Sequence, residues 1–233
     1  MNIDLSYYSG IGKRKNNEDA VSVLENTNGL LAIVADGLGG MENGEIASKQ
    51  AVKVMNDTLG TGRVSADSME AGIIKANEEI YLLQREYPGA HSTVAAIWLE
   101  ESFAFAMHVG DTRIYLFREG KVIYQSVDHT MAQMAVMAGE IKPEEIRYHK
   151  ERNKLFRALG DSEAPKVAEK LLEIKKGDRL LICSDGFWEQ ILETDMIAAA
   201  KQTDDAETWL RRMRDIAEPG ARDNNTAIAI VIN

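Results

Sequence analysis

The sequence predicts an α+β fold, because strand patterns and helix patterns occupy separate stretches of the chain. Three strand-like runs come first, and two amphipathic helical patterns follow them at 44–59 and 66–87. Four short strand-like runs then fill 92–126, and most of the remaining helical patterns lie near the C-terminus. Segregated blocks of this kind favour an α+β fold over the regular alternation of a parallel α/β sheet.

The first third of the chain is predicted as three strands and two helices. The runs IDLSYYS and AVSVLE have apolar residues at every second position, and LLAIVAD, residues 30–36, is nearly all apolar. An unbroken apolar run is typical of a central strand that is buried on both faces. The helical patterns that follow carry Ile46, Ala47, Val52 and Met55, and then Met69, Ile73 and Ile80, at helical spacing.

The middle and the end of the chain extend the same pattern. The runs STVAAIWLE, FAFAMHVGD, TRIYLFREG and KVIYQS predict an antiparallel meander, and MAQMAVMAGE predicts a helix. The charged segment 142–154 is expected to be exposed, and it is followed by a strand at RLLICSD, two helices and a last strand at TAIAIVIN. No linker or repeat interrupts the chain, so residues 1–233 are predicted to form a single domain.

Composition and charge exclude several classes of partner. A net charge of −10 without clustered Lys and Arg argues against nucleic acid. The apolar runs are far shorter than the roughly 20 residues that a membrane-spanning helix needs, so no membrane partner is expected. A cytoplasmic location is expected, because the first ten residues lack a signal peptide and the single cysteine, Cys183, lies in a strand-like run.

Two Asp-Gly pairs each follow an apolar strand. Asp36-Gly37 ends LLAIVAD and Asp185-Gly186 ends RLLICSD, so the two aspartates look like halves of one site. Asp223, just before the last strand, and the Glu18-Asp19 pair are further candidates. Carboxylate oxygens are the ligands that Mg²⁺ and Mn²⁺ prefer. The alternative is that each aspartate is an ordinary turn residue.

Two further residues carry both a functional and a plain interpretation. Asp111 follows a glycine at the end of another strand, and its plain interpretation is a hairpin turn with Arg113 on the solvent side. Arg14 lies five residues before Asp19, and a guanidinium beside metal-binding carboxylates suits bidentate capture of a phosphate. Its plain interpretation is a surface charge within the Lys13-Arg14-Lys15 patch.

The ordered set of motifs resembles the type 2C protein phosphatases, which are metal-dependent serine/threonine phosphatases. The similarity is to the short bacterial forms above all, and it extends from about residue 5 to the C-terminus. The motifs that carry it are RKNNEDA, VADGLGGMENGEIAS, HSTVAAIWL, HVGDTRIYLFREGKV, DHTMAQMAVMAGEIKPEE, HKERNKLFRALG, GDRLLICSDGFWEQI and RDNNTAIAIVI.

The resemblance implies a sandwich of two antiparallel β-sheets flanked by pairs of α-helices, in four αββα layers. A centre of two Mn²⁺ or Mg²⁺ ions is implied at one edge of this sandwich. By this likeness Asp36 bridges the two ions, the Gly37 carbonyl binds one of them, and Asp185 and Asp223 complete the other.

The resemblance also assigns residues around those ligands. Glu18 and Asp19 hold metal-bound waters, and Asn224 lies in the same surrounding layer. Arg14 binds the phosphate, Asp111 shares a third and weaker ion with Asp185, and the segment at about 140–154 is a flap beside the site.

The expected activity is hydrolysis of phosphoserine and phosphothreonine in proteins by a water that the two ions activate. The protein substrates are expected to be targets of a serine/threonine kinase. Two alternatives stay open at this point: a metal-binding phosphoprotein sensor without turnover, and a two-metal phosphodiesterase.

Overall fold

The computed structural model describes residues 2–38 and 43–233, and in this part of the chain ten strands and six α-helices are found. The strands are β1 (Ile3–Gly10), β2 (Asp19–Asn26), β3 (Gly29–Asp36), β4 (Val94–Leu99), β5 (Phe103–Val109), β6 (Arg113–Arg118), β7 (Lys121–Gln125), β8 (Ala168–Glu173), β9 (Arg179–Cys183) and β10 (Asn225–Ile232). The helices are α1 (Gly44–Leu59), α2 (Ala66–Leu83), α3 (Met131–Met137), α4 (Asp185–Trp188), α5 (Glu193–Ala200) and α6 (Ala206–Ala217).

The strands form two antiparallel sheets of five strands each, which confirms the predicted sandwich. One sheet has the order β1-β10-β9-β6-β7, and the other has the order β2-β3-β4-β5-β8. Successive side chains of a strand point to opposite faces of its sheet, so one face packs against helices and the other against the second sheet. In β3, Leu31 and Ile33 pack with α1 and α2, whereas Leu30 and Ala32 pack between the two sheets. A third apolar cluster joins β6, β9 and β10 to α5 and α6.

The predicted meander is wrong in one respect. The strands β4 and β5 pair in one sheet and β6 and β7 pair in the other, so the chain crosses between the sheets at 110–112. Hydrophobic periodicity reports burial but does not identify the partner strand, which is why four similar runs read as one meander.

Two elements are absent from the sequence-based prediction. The strand β8 has the sequence AEKLLE, in which only Leu172 is buried, so its alternation is too weak to mark a strand. The short helix α4 begins directly at Asp185. The charged segment is also only partly exposed, since Ile146 and Arg147 in its 3₁₀ turn, Pro143–Tyr148, are buried.

In the described ranges, no helix combines the length and the apolar character that crossing a membrane would require.

Candidate active site

Two of the candidate aspartates face each other across a strand pair. Asp36 is the last residue of β3, and Asp19 is the first residue of β2, directly opposite it in register. The main chain of Asp36 is fixed on its other side by Thr93, whose hydroxyl accepts the Asp36 N–H at 3.0 Å. The Thr93 N–H donates to the Asp36 carbonyl at 2.8 Å. The end of the buried strand β3 is therefore held rigidly on both sides.

The other sheet supplies two more aspartates. Asp185 begins α4 just after β9, and Asp223 lies just before β10, the strand that pairs with β9. Ser184 links the two sheets at this point, because its hydroxyl donates to Asp19 Oδ2 at 2.8 Å and accepts the Thr226 N–H at 2.9 Å. The edge of the sandwich thus brings together carboxylates that are far apart in sequence.

The two glycines after Asp36 and Asp185 are required by main-chain packing. A Cβ on Gly37 would lie 2.2 Å from the Gly44 carbonyl oxygen, and a Cβ on Gly186 would lie 2.0 Å from the Asn224 carbonyl oxygen. Neither neighbour is a flexible side chain, so both positions exclude any larger residue. The repeated Asp-Gly sequence allows two stretches of main chain to meet closely behind the aspartates.

Asp111 lies in the segment that crosses between the sheets, which excludes the plain hairpin turn. Asp111 is only 4% exposed, and its main-chain carbonyl accepts the Trp188 indole N–H at 3.0 Å. The solvent position expected for Arg113 is wrong as well, since Arg113 is buried and pairs with Asp128 through two hydrogen bonds of 2.9 and 2.7 Å. Asp128 lies 15 residues further along the chain, so the pairing depends on the tertiary fold.

Most of the predicted site residues line one cleft of about 390 Å³. The candidates that line it are Arg14, Glu18, Asp36, Gly37, Asp111, Asp185 and Asp223. Asp19 and Asn224 are not on its wall. Asp19 is buried behind it, with Oδ1 lacking any hydrogen-bond partner.

Asn224 anchors the loop that carries Arg14 and Glu18. Its amide NH₂ donates to the carbonyls of Ile11 and Asn16, both at 2.9 Å, and its Oδ1 accepts the Glu18 N–H at 2.8 Å. All of these partners are main-chain groups. Asn224 thus joins the loop between β1 and β2 to the start of β10.

The cleft concentrates negative charge. Burial, and then the neighbouring carboxylates Asp19 and Asp185, raise the pKa of Asp36 well above its ordinary value. Burial, followed by Asp185, does the same to the pKa of Asp111. Burial raises the pKa of Asp19 to about 6 and that of Asp185 to about 7, with smaller contributions from Asp223.

Arg14 is a cation in direct contact with this acidic set. Its guanidinium donates to Asp223 Oδ2 at 2.5 Å, and this hydrogen bond is the main reason that the pKa of Arg14 is raised. The Arg14 and Asp223 side chains are 44% and 34% exposed, so the pair lies at the mouth of the cleft. Within residues 2–38 and 43–233, Asp36, Asp111 and Asp185 form no ion pair of this kind.

The chemistry of these donors fits a hard divalent cation. All the candidate ligands are oxygen atoms, and several are buried carboxylates that a cation would stabilise in the ionised form. In residues 2–38 and 43–233, no three His, Cys, Asp or Glu side chains are grouped as a ready metal-holding set. Mg²⁺ commonly takes one or two carboxylates and keeps several waters, so such a set is not a requirement.

One part of the cleft wall comes from the end of the charged segment. Asn153, Lys154 and Leu155 line the cleft, and of these only Leu155 lies beyond the expected flap. Arg152 pairs with Glu189 at 2.7 Å, and the Glu189 charge in turn raises the pKa of Asp185. Glu189 caps the C-terminal end of α4, a helix that the sequence pattern did not predict.

The fold and the cleft define an α+β sandwich protein with a buried acidic site suited to divalent cations. A protein-family comparison matches residues 8–227 to protein phosphatase 2C. The serine/threonine phosphatase Stp of Listeria monocytogenes is 31% identical over 93% of this chain and 90% of its own.

Solved structures agree with this match. A serine/threonine phosphatase of S. agalactiae superposes with a TM-score of 0.92 at 27% identity and covers both chains completely. The catalytic domain of the serine/threonine protein phosphatase PstP, in complex with two manganese ions, superposes with a TM-score of 0.83 at 29% identity, again over 100% of both chains. The chain therefore belongs to the protein phosphatase 2C family.

Proposed function

We propose that this protein removes phosphate from phosphoserine and phosphothreonine residues of proteins, in a reaction that depends on Mn²⁺ or Mg²⁺. The observation that carries the proposal is the cleft in which Asp36, Asp111, Asp185 and Asp223 converge without enough positive charge to balance them. The names of the Listeria and PstP relatives, and the manganese bound to PstP, support the same substrate class and metal.

In this proposal two ions bind at the edge of the sandwich. Asp36 and the Gly37 carbonyl would hold one ion, and Asp36, Asp185 and Asp223 would hold the other. Asp111 and Asp185 would hold a third, weaker ion, while Glu18 and Asp19 would orient waters around the pair. When bound, the ions supply Lewis acidity, which withdraws charge from phosphoryl oxygens and lowers the pKa of a water.

The protein's own groups bind and orient the phosphoryl group. Arg14 at the cleft mouth would hold two phosphoryl oxygens through its planar guanidinium, which suits phosphate better than a lysine does. Asn224 would keep Arg14 and Glu18 in place by anchoring their loop. The segment that ends at Lys154 would act as a flap along one wall, and the phosphoproteins would be products of a serine/threonine kinase.

The test is hydrolysis of an aryl phosphate and a phosphothreonine peptide with Mn²⁺, compared with a bis-aryl phosphodiester. We expect the two monoesters to be hydrolysed and the diester to react poorly, with all activity lost in a chelator. Asp36→Asn should lose about 100-fold or more in kcat, because even the residues that support metal ligands contribute 10–100-fold. The exposed Asp204→Asn is the matched control.

Each alternative has its own outcome in this experiment. Preference for the diester would favour a phosphodiesterase. Tight Mn²⁺ binding without turnover of any substrate would favour a sensor. Full activity in the chelator would contradict the metal-dependent reaction.

A further inference from the structure

A second concave surface lies next to the catalytic cleft and is apolar. It has a volume of about 480 Å³ and is lined mainly by Met131, Met134 and Met137 of α3 and by Phe156. Met134 is 45% exposed and Met137 is 72% exposed, although both are large apolar residues. We call this surface the methionine groove.

One extended segment separates the groove from the cleft. Residues 153–155 line the cleft, whereas Phe156 and Arg157 line the groove. The segment is held by pairing with the stretch before α3, since Met131 N–H donates to the Lys154 carbonyl and Phe156 N–H donates to the His129 carbonyl, both at 2.9 Å. Leu155 and Phe156 therefore present adjacent side chains to two neighbouring concave surfaces.

Arg157 gives the groove a cation without a matching anion. In the described part of the chain its guanidinium contacts the Phe156 ring at 5.2 Å and His129 Nε2 at 3.4 Å, and no carboxylate lies within 4.0 Å. His129 Nδ1 accepts the Gly110 N–H, so in the neutral ring the proton is on Nε2 and that atom cannot accept from Arg157. Asp128, also on the groove, is already bound to Arg113.

We propose that the methionine groove binds the part of the phosphoprotein next to the phosphorylated residue, and that it selects an apolar side chain with a nearby acidic residue. The proposal rests on the proposed function, because it requires the phosphorylated residue to occupy the adjoining cleft. Flexible methionine side chains adapt to the shape of what they contact, which suits binding of an apolar side chain of a peptide. Arg157 would supply the charge complementarity that fixes an acidic residue at the groove.

The proposal is tested with phosphothreonine peptides that carry a Leu and a Glu either before or after the phosphothreonine, against a peptide with alanines at those positions. We expect one Leu-Glu peptide to exceed the alanine peptide about tenfold in kcat/KM, which is the effect of burying one leucine side chain. Met134→Glu should remove this preference and leave aryl phosphate hydrolysis unchanged. Leu82→Glu, at an apolar residue of α2 that is 48% exposed, is the matched control.

A second measurement does not depend on turnover. The methionine methyl NMR signals of the protein are recorded with the unphosphorylated Leu-Glu peptide. We expect the signals of Met131, Met134 and Met137 to shift while those of the buried Met196 and Met213 do not. Equal kcat/KM for all the peptides, or methyl signals that stay in place, would overturn the groove proposal. Absence of aryl phosphate hydrolysis with Mn²⁺ would overturn the proposed function instead, and the NMR result would still decide the groove.

Discussion

At the scale of single residues, Arg14 and Asp223 form the contact on which the proposed phosphate binding depends most directly. The two side chains meet at 2.5 Å across the cleft mouth, although they are 209 residues apart in the chain. Among the described residues, Asp223 is the one side chain that binds the Arg14 guanidinium, which lines the cleft and is 44% exposed. A phosphoryl group entering the cleft would meet this guanidinium before it reached the deeper carboxylates.

Replacing Arg14 tests this order of contacts. Arg14→Ala should raise KM about tenfold or more, because a charge-assisted hydrogen bond contributes roughly 1.5–3 kcal/mol. Steady-state kinetics with a phosphothreonine peptide at saturating Mn²⁺ measure the effect. Lys13→Ala, one position away in the same loop, is the control and should leave KM nearly unchanged. Equal KM values for the two variants would show that Arg14 is only surface charge.

The sequence predicted that the aspartates lie together but misplaced Arg113, and both outcomes have a physical reason. Asp36 and Asp185 each end an apolar run, so burial of the strand alone places them at the sheet edge. The burial of Arg113 depends on Asp128 and on stacking over Trp188, whose ring centroid lies 3.4 Å from the Arg113 guanidinium carbon. Neither partner is near Arg113 in the chain, so local patterning could not reveal the pairing.

At the scale of elements, the buried side chain of Arg147 helps to dock the charged segment after α3. Arg147 donates to Glu193 Oε1 at 2.5 Å, and its guanidinium lies 5.3 Å from the centre of the Trp188 ring. The same Glu193 oxygen accepts the Tyr115 hydroxyl at 3.1 Å. Because Trp188 also donates to the Asp111 carbonyl, one contact chain connects the 3₁₀ turn to the cleft.

Removing Arg147 should therefore loosen this docking. We expect Arg147→Ala to lower the free energy of unfolding by about 2 kcal/mol, less than the loss of a fully buried pair, because Glu193 is 30% exposed and keeps other partners. Urea denaturation followed by tryptophan fluorescence measures the change. Arg211→Ala, at an exposed position of α6, is the control. A loss no larger than that of the control would show that the turn is held by apolar packing alone.

Elements were predicted to different degrees because their patterns differ in strength. The helix α6 carries Trp209, Leu210 and Met213 on its buried face, and it is one of the two helices predicted before the last strand. The strand β8 is an edge strand with one buried side chain, and its composition suits a helix as well as a strand. The sequence pattern did not reveal that the chain changes sheets between β5 and β6, because both strands are buried in the same way.

At the scale of the whole molecule, the acidic cleft costs stability unless a cation occupies it. Mn²⁺ that binds only the folded state at about 100 times its Kd stabilises by about 2.7 kcal/mol. For a chain of this size that corresponds to a rise in Tm of roughly 5–10 °C. Differential scanning fluorimetry with Mn²⁺, with a chelator, and with potassium at equal ionic strength measures it. An equal shift from potassium would mean general charge screening rather than a specific site.

The position of β10 has a consequence for the protein during its synthesis. This strand lies between β1 and β9, and Asp223 immediately precedes it, so both the first sheet and the acidic set need residues near the end of the chain. A nascent polypeptide still lacking these residues holds Arg14 without its partner and β1 without its neighbour. We therefore expect a ribosome-bound chain whose β10 is still inside the exit tunnel to show no phosphatase activity, and the activity to begin once β10 has emerged.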